Sequence, residues 1–137
     1  MLARPEYLST SSEVLERALS GQLTATPSGG QLREPKLIRF HSGAAFFPWR
    51  SQARWLHSQM VRWGHSDLRD ASRAAEVFDP TFLRNALRGS DTDFPGANEK
   101  VEGALSVPTG VTSSRGMLML PPDRFFDGAV FDPDLLN

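Results

Sequence analysis

The segment 46–64 constrains the fold of this chain more than any other stretch. It contains every tryptophan of the sequence: Trp49, Trp55 and Trp63. Pro48 stops any helix or strand that arrives from its N-terminal side, and Ser51 is a favourable N-cap because its hydroxyl can accept a hydrogen bond from a free amide. Gly64 fits the position after the last helical turn, where a left-handed conformation is common. A helix is therefore predicted between Ser51 and Gly64.

The predicted helix has one apolar face. At about 100° per residue, one side of the helix collects four apolar residues. They are Ala53, Leu56, Met60 and Trp63. Because each buried tryptophan removes about 200 Å² of surface from water, this face is predicted to be the largest source of core. Trp63→Ala is then expected to unfold the chain largely, whereas Arg54→Ala on the opposite face is expected to be nearly neutral.

Composition indicates a small core with many loops. The chain has 137 residues, of which 39% are hydrophobic, 11 are glycine and 10 are proline. Its 15 basic and 16 acidic residues leave a net charge of -1, so bulk charge does not favour a nucleic-acid partner. Cysteine is absent, which excludes disulfides, thiolate metal sites and a cysteine nucleophile.

Local signals divide the chain into a helical segment, 1–89, and an extended tail, 90–137. Helix starts are predicted at the capping box 10–13, at Asp67 and at Asp79, which is followed by a proline. Residues 22–35 are predicted to be a loop, and residues 37–40 fit either a helical turn or a short strand.

The tail is rich in glycine and proline, and it contains one predicted strand at 117–120. We expect it to pack phenylalanines onto the helices, so that the two segments form one structural unit that is a piece of a longer protein. The fold class is α+β, mainly helical and loop-rich. The predicted core is Trp49, Trp55, Leu56, Met60, Trp63, Phe125, Phe126 and Phe131.

The sequence contains no pattern that specifies a metal site or an enzyme. The histidines, His41, His57 and His65, lack the helical spacing and the accompanying carboxylates of a metal site. No nucleophile elbow, phosphate-binding loop or dinucleotide-binding fingerprint is present. Alternating tryptophan and arginine in 49–63 could stack bases, but the net charge favours packing of these side chains on each other. We therefore expect no metal, no cofactor, no nucleic acid and no enzyme activity.

The start of the central helix is the candidate ligand site. Arg50 and Ser51 would combine a guanidinium group, free amides and the helix dipole, all of which favour an anion. The alternative is a structural role, in which Arg50 pairs with a carboxylate of the tail such as Asp127 or Asp132. The residues themselves leave both open.

Several segments resemble one known family, the nitrate- and bicarbonate-binding proteins of ABC transporters. Segments 47–56 and 60–64 are similar to that family's Phe-Pro-aromatic-basic-Ser and Arg-Trp-Gly motifs. Segment 122–133 is similar to its closing Phe-Phe-Asp-Gly and Phe-Asp-Pro motifs, and residues 4–8 with 19–21 resemble the stretch that precedes them. The order and approximate spacing agree over nearly the whole chain.

This resemblance implies the C-terminal segment of a two-lobed, periplasmic-binding-protein-like α/β fold whose cleft holds a small oxyanion. The family's principal anion ligands lie in earlier sequence and have no counterparts here. The implied function is nitrate, nitrite or bicarbonate uptake with the transporter's membrane subunits as partners and a periplasmic parent protein. Since the N-terminal residues 1–7 lack the charged start and apolar stretch of a signal peptide, the alternative is part of a cytoplasmic nitrate-responsive sensor that binds a regulator protein.

Overall fold

The computed structural model describes residues 1–34, 38–40 and 42–135. The chain divides into two compact units, Met1–Phe40 and His41–Asn137. The second unit therefore contains both the tryptophan-rich segment and the tail, and the division lies about 50 residues before the predicted change of character at residue 90.

Unit 1 consists of a helix and a hairpin. The helix α1 (Ser12–Leu19) begins after Ser11, whose hydroxyl accepts a hydrogen bond from the Val14 amide at 3.1 Å. Strands β1 (Gln22–Thr24) and β2 (Gln31–Arg33) pair antiparallel. The prediction of a loop over 22–35 is thus wrong for 22–24 and 31–33, while 25–30 form the connecting turn.

The glycine-rich turn explains that hairpin. Gly29 has a φ of +85°, and the Gly30 amide donates to the Thr26 hydroxyl at 2.8 Å, so the segment folds back on itself. Residues 38–40 lie in neither helix nor strand. Pro35 and Leu37, which the predictions also included, lie outside the described residues.

Unit 2 has an α+β organisation, as predicted. Its helices are α2 (Arg50–Arg62), α3 (Ala71–Val77) and α4 (Pro80–Ala86), and its strands are β3 (Thr109–Ser113) and β4 (Gly116–Leu120). Short 3₁₀ turns occupy Ser42–Ala44, Leu68–Asp70 and Pro133–Leu135. The predicted strand at 117–120 is confirmed as β4, which pairs antiparallel with the unpredicted β3.

The predicted helix signals are largely confirmed. The Asp79 carboxylate accepts a hydrogen bond from the Thr81 amide at 2.8 Å, and Pro80 is the first residue of α4. Asp67 caps the 3₁₀ turn that leads into α3. Gly64 follows α2 with a φ of +74°. The start of α2 differs from the prediction, because Trp49 is the N-cap and makes no side-chain capping bond.

The core of unit 2 forms between the segment before α2 and the end of β4. The buried cluster contains Ala44, Phe47, Trp49 and Leu120. Phe47 and Trp49 meet edge to face, with ring centroids 4.8 Å apart. Partly buried apolar residues pack against this cluster: Leu83, Phe94, Leu105, Val111 and Leu118. Trp49 therefore lies in the core, as predicted.

The predicted inner face of α2 is wrong. Leu56, Met60 and Trp63 have exposed fractions of 46%, 44% and 64%, respectively. We call these three residues the apolar stripe. Ala53, the fourth residue of the predicted face, is buried as predicted, and the other buried residues of α2 are Ser51 and His57.

Contacts with the neighbouring elements explain which side of α2 is buried. Helix α2 packs on α3, whose buried residue is the small Ala75. The His57 ring nitrogen Nε2 lies 3.1 Å from both the Ser66 hydroxyl and the Asp67 carbonyl oxygen, so its polar atom is satisfied while the ring is buried. The spacing of the stripe is helical, but spacing does not determine which face is covered.

The remaining core predictions also need correction. Phe126 is fully exposed, and Trp55, Phe125 and Phe131 are only partly buried. Trp55 and Phe125 stack with ring centroids 5.0 Å apart and planes 17° apart. Arg54, predicted to be on a free face, donates from Nε to the Glu99 carboxylate at 2.8 Å.

Asp93 holds the tip of the β3–β4 hairpin. Its carboxylate accepts hydrogen bonds from the Ser113 and Ser114 hydroxyls, both at 2.8 Å, and from the Arg115 amide at 3.1 Å. Desolvation acts to raise the pKa of Asp93, but these bonds and one from the Phe94 amide outweigh it, so the pKa lies below the ordinary value of 3.8.

The stability of the protein should therefore depend on this carboxylate in acid. Because the pKa of Asp93 is lower when folded than when unfolded, its contribution is present above the ordinary carboxyl pKa of 3.8 and is lost as the pH falls through the lower native pKa. We expect the free energy of unfolding to fall less steeply below about pH 4 in Asp93→Asn than in the wild type. Urea titrations at several pH values measure the two slopes, and equal slopes would contradict the assignment.

Gly103 should tolerate alanine poorly. Its φ is +81°, and an added Cβ would lie 2.7 Å from Phe125 Cδ2 and 2.8 Å from the Ala129 carbonyl oxygen. Gly128 is a matched control, because it has a φ of +72° and nothing within 4 Å of an added Cβ. Gly128→Ala is expected to cost about 1 kcal/mol from backbone strain, and Gly103→Ala about 2 kcal/mol more from overpacking. Equal urea midpoints for the two variants would show that the close approach at Gly103 is absent.

Candidate functional site

The start of α2 positions the candidate anion-binding residues. The Arg50 amide donates to the Asn98 carbonyl oxygen at 3.0 Å, so a segment of the tail crosses the end of the helix. Arg50 Nε is buried and has no hydrogen-bond partner among the described residues. The guanidinium group of Arg50 therefore retains an unused donor at this end of the helix.

Ser51 is fully buried and takes part in an internal network. Its hydroxyl donates to Glu102 Oε1 at 2.6 Å and accepts from the Lys100 amide at 3.1 Å. Both its donor and one acceptor position are thus occupied by the protein itself. The carboxylate that contacts this end of the helix is Glu102, which accepts a hydrogen bond from the Ser51 hydroxyl.

Each of the two tail carboxylates named as alternative partners of Arg50 accepts a hydrogen bond within its own turn. Asp127 accepts a hydrogen bond from the Ala129 amide at 3.0 Å, and Asp132 accepts one from the Asp134 amide at 2.9 Å. Such bonds stabilise turns within two residues of the acidic side chain. Among the described residues, neither carboxylate forms a salt bridge with Arg50.

Lys100 joins two carboxylates next to this network. Its ammonium group donates to Glu102 Oε2 at 2.6 Å and to Asp123 Oδ2. The exposed fractions of the three side chains are 17% for Lys100, 7% for Glu102 and 21% for Asp123. One largely buried cation therefore faces two carboxylates, and the ammonium group lies 5.9 Å from the centroid of the Trp49 ring.

Arginines hold the segment that crosses the helix end. Arg84 donates to Asn98 Oδ1 at 2.5 Å and to the carbonyl oxygens of Pro95, Gly96 and Ala97. Its guanidinium carbon lies 5.1 Å from the centroid of the Phe47 ring. Together with the Arg54–Glu99 pair, these contacts give Arg84 and Arg54 a structural role.

Trp55 and Phe125 line two clefts. The first, of about 350 Å³, is lined by Gln52, Trp55, Leu56, Glu102, Asp123 and Phe125. The second, of about 360 Å³, is lined by Trp55, Gln59, Arg62, Trp63, Phe125, Phe126, Asp127 and Ala129. Five of the predicted core residues thus line clefts: Trp55, Leu56, Trp63, Phe125 and Phe126. Of the others, Trp49 lies in the core, and Phe131 pairs through its backbone with Glu102.

Glu102, Lys100, Asp123 and Arg84 were not identified from the sequence. A signal existed for two of them, since residues two apart in an extended segment point to the same side, and Lys100 and Glu102 have this spacing. Nothing local indicated Asp123, which is 23 residues from Lys100.

The described residues contain no group of three or more histidine, cysteine or acidic side chains placed as metal ligands. His41 lies outside that part of the chain. Within the same part, no helix is both long enough and apolar enough to span a bilayer.

Comparison with known proteins gives one relative. The chain is 26% identical over 136 residues to the nitrate/nitrite binding protein NrtA of Synechococcus elongatus. The alignment covers 96% of this chain but 26% of that protein, so the chain spans about a quarter of the length of its relative. No protein-family model and no solved structure matches the chain. The similarity supports a distant relationship to nitrate-binding proteins.

Proposed function

We propose that this chain is the C-terminal part of a solute-binding protein for nitrate, nitrite or bicarbonate that serves an ABC transporter. The observation that carries the proposal is the similarity to a nitrate/nitrite binding protein over 96% of the chain. The proposed parent is periplasmic, has a two-lobed α/β fold and binds its solute without catalysis.

Contacts between the two family-like segments support this proposal. Segment 47–56 contributes Trp55 and segment 122–133 contributes Phe125, and these rings stack at 5.0 Å. Segments that resemble one family thus pack against each other within unit 2.

The proposed contribution of this chain is to support the oxyanion cleft, with the principal ligands elsewhere in the parent. A small oxyanion buries little surface, so its binding depends on several converging donors. At the start of α2 the unused donor is Arg50 Nε, while the Ser51 hydroxyl is engaged with Glu102. This is only part of an anion-binding shell.

The exposed apolar stripe fits a surface that packs against the rest of such a parent. Leu56, Met60 and Trp63 follow one side of α2, and Phe126 lies with Trp63 at the edge of the second cleft. Contiguous exposed apolar surface of this kind typically marks a contact with another part of a protein.

Calorimetry tests the proposal at two levels. The chain alone, titrated with nitrate, nitrite and bicarbonate, should give no saturable heat at low millimolar concentrations. The protein encoded by the complete reading frame should bind at least one of these anions. A micromolar isotherm for the chain alone would contradict the placement of the ligands elsewhere, and a complete protein that binds none of the three would contradict the function.

The position of the stripe has a separate test. Met60→Glu should leave the urea midpoint of the chain alone nearly unchanged, because this side chain is already exposed. In the complete protein the same substitution should lower stability, since it would bury an unpaired charge. Val77→Glu, an exposed position on α3, serves as the control. Equal effects of Met60→Glu in both proteins would show that the stripe stays uncovered.

The sequence upstream of the gene segment distinguishes transport from sensing. A reading frame with a secretory or lipoprotein signal is expected for the transporter component. A frame without one, next to a gene for a regulator protein, would instead favour the cytoplasmic sensor.

A further inference from the structure

The first cleft has apolar walls and an acidic floor. Its lining combines the Trp55 and Phe125 rings and the Leu56 side chain with the carboxylates of Glu102 and Asp123. Its volume of about 350 Å³ falls within the range of small-ligand pockets. The lining contains no basic residue.

The charges around this cleft do not cancel. Lys100 donates to both carboxylates, but it is not among the residues that line the cleft. One ammonium group against two carboxylates leaves one negative charge. No other salt bridge to Glu102 or Asp123 occurs among the described residues, so Lys100 and the two carboxylates carry one net negative charge beside the cleft.

Asp123 has acceptor capacity left on the cleft side. Its Oδ1 accepts from the Leu105 amide at 2.9 Å and its Oδ2 accepts from Lys100, whereas a carboxylate offers about four lone-pair positions. The side chain is 21% exposed. A donor that enters the cleft can therefore reach an ionised acceptor in a partly desolvated place, where such a bond is strong.

The aromatic walls suit an apolar stem. The stacked Trp55 and Phe125 rings form one rigid wall, and Leu56 forms the rim. Aromatic faces also attract cations within about 6 Å. The carboxylates would repel an anion, whereas a cation with an apolar stem can pair with the carboxylates and pack its stem against the aromatic rings.

We propose that this cleft binds an organic cation, a primary ammonium group on a short apolar stem, with the ammonium group at Asp123 and the stem against Trp55 and Phe125. The inference is independent of the oxyanion proposal, because it uses a different cleft and the opposite ligand charge. A free amine and a lysine side chain of another polypeptide both present this chemistry.

Benzylammonium chloride is the probe, and NMR of the uniformly ¹⁵N-labelled chain is the measurement. Saturable shifts are expected for the Leu105 amide, which is hydrogen-bonded to Asp123, and for the Trp55 indole N–H. Benzyl alcohol, which has the same shape without charge, should bind the wild type at least about tenfold more weakly than benzylammonium does. Benzylammonium should bind Asp123→Asn at least about tenfold more weakly than it binds the wild type, because a hydrogen bond to a charged group is lost. Asp134→Asn, which removes an exposed carboxylate outside the cleft, should bind benzylammonium like the wild type.

A second variant keeps the test valid if Asp123→Asn unfolds. Leu56→Trp fills the rim of the cleft at an exposed position, so it should fold and lose the shifts. Equal binding of benzyl alcohol and benzylammonium, unchanged binding by Leu56→Trp, or absence of saturable shifts at Leu105 and Trp55 would each overturn the proposal. Tighter binding of Nα-acetyl-lysine methylamide than of benzylammonium would identify a polypeptide lysine as the ligand, and the reverse order would identify a free amine.

Discussion

Trp49→Ala is expected to lower the free energy of unfolding by about 3–5 kcal/mol, the usual cost of truncating a fully buried tryptophan. Trp49 is 4% exposed and packs with Phe47 and Leu120 in the core of unit 2. It is also the N-cap of α2, so the cavity would form where the helix begins. Few neighbouring side chains could fill it, because Ala44 is small and the Phe47 ring is fixed edge to face.

Trp63→Ala is the matched control, since it removes the same atoms from an exposed site. It should cost less than about 1 kcal/mol, as is usual for surface positions. Urea titrations followed by far-ultraviolet circular dichroism compare the two midpoints without depending on tryptophan fluorescence. A larger loss for Trp63→Ala than for Trp49→Ala would mean that the stripe is the buried face after all.

Lys100→Met is expected to cost about 3–5 kcal/mol, because removing one member of a buried ion pair leaves the other charges uncompensated. Here two carboxylates would remain, Glu102 and Asp123, and both now receive a hydrogen bond from the same ammonium group. Glu102 also accepts from Ser51, so the loss would be transmitted to the start of α2.

Neutralising the carboxylates should restore most of that stability. In the triple variant Lys100→Met, Glu102→Gln and Asp123→Asn, no buried charge remains, and the side-chain oxygens can still accept from Ser51 and Leu105. Arg115→Met is the control for an exposed pair: its partner Asp91 is fully exposed, so the cost should be below about 1 kcal/mol. A triple variant no more stable than Lys100→Met would show that lost packing, rather than charge, causes the effect.

The exposed stripe and the ion cluster are both close to Trp55. This residue stacks on Phe125, and the two rings line both the acidic cleft and the second cleft, which also contains Trp63 and Phe126. Variants at Trp55 would disturb both surfaces. For this reason the tests above use Met60, which belongs to the stripe, and Asp123, which lines the acidic cleft, whereas Leu56 belongs to both surfaces.

The sequence alone determined features that depend on a few neighbouring residues. Gly64 after α2, Asp79 before α4 and strand β4 ahead of Pro121 were predicted and found, because caps and breakers act within one turn of the chain. The apolar stripe was also found as a periodic feature of α2. The hairpin of unit 1 was missed, because its strands are three residues long and their turn looks like loop composition.

Only the tertiary structure decided which residues are buried and which side chains meet. Ser51 reads as a helix cap in the sequence, yet it lies inside α2 and binds Glu102, 51 residues away. Periodicity gives the sides of a helix but not the element that covers one of them, so Trp63 was assigned to the core and His57 was not. The contacts that decide which side of α2 is buried come from residues 66–67, α3 and the tail. Contacts over such sequence distances have no local signature.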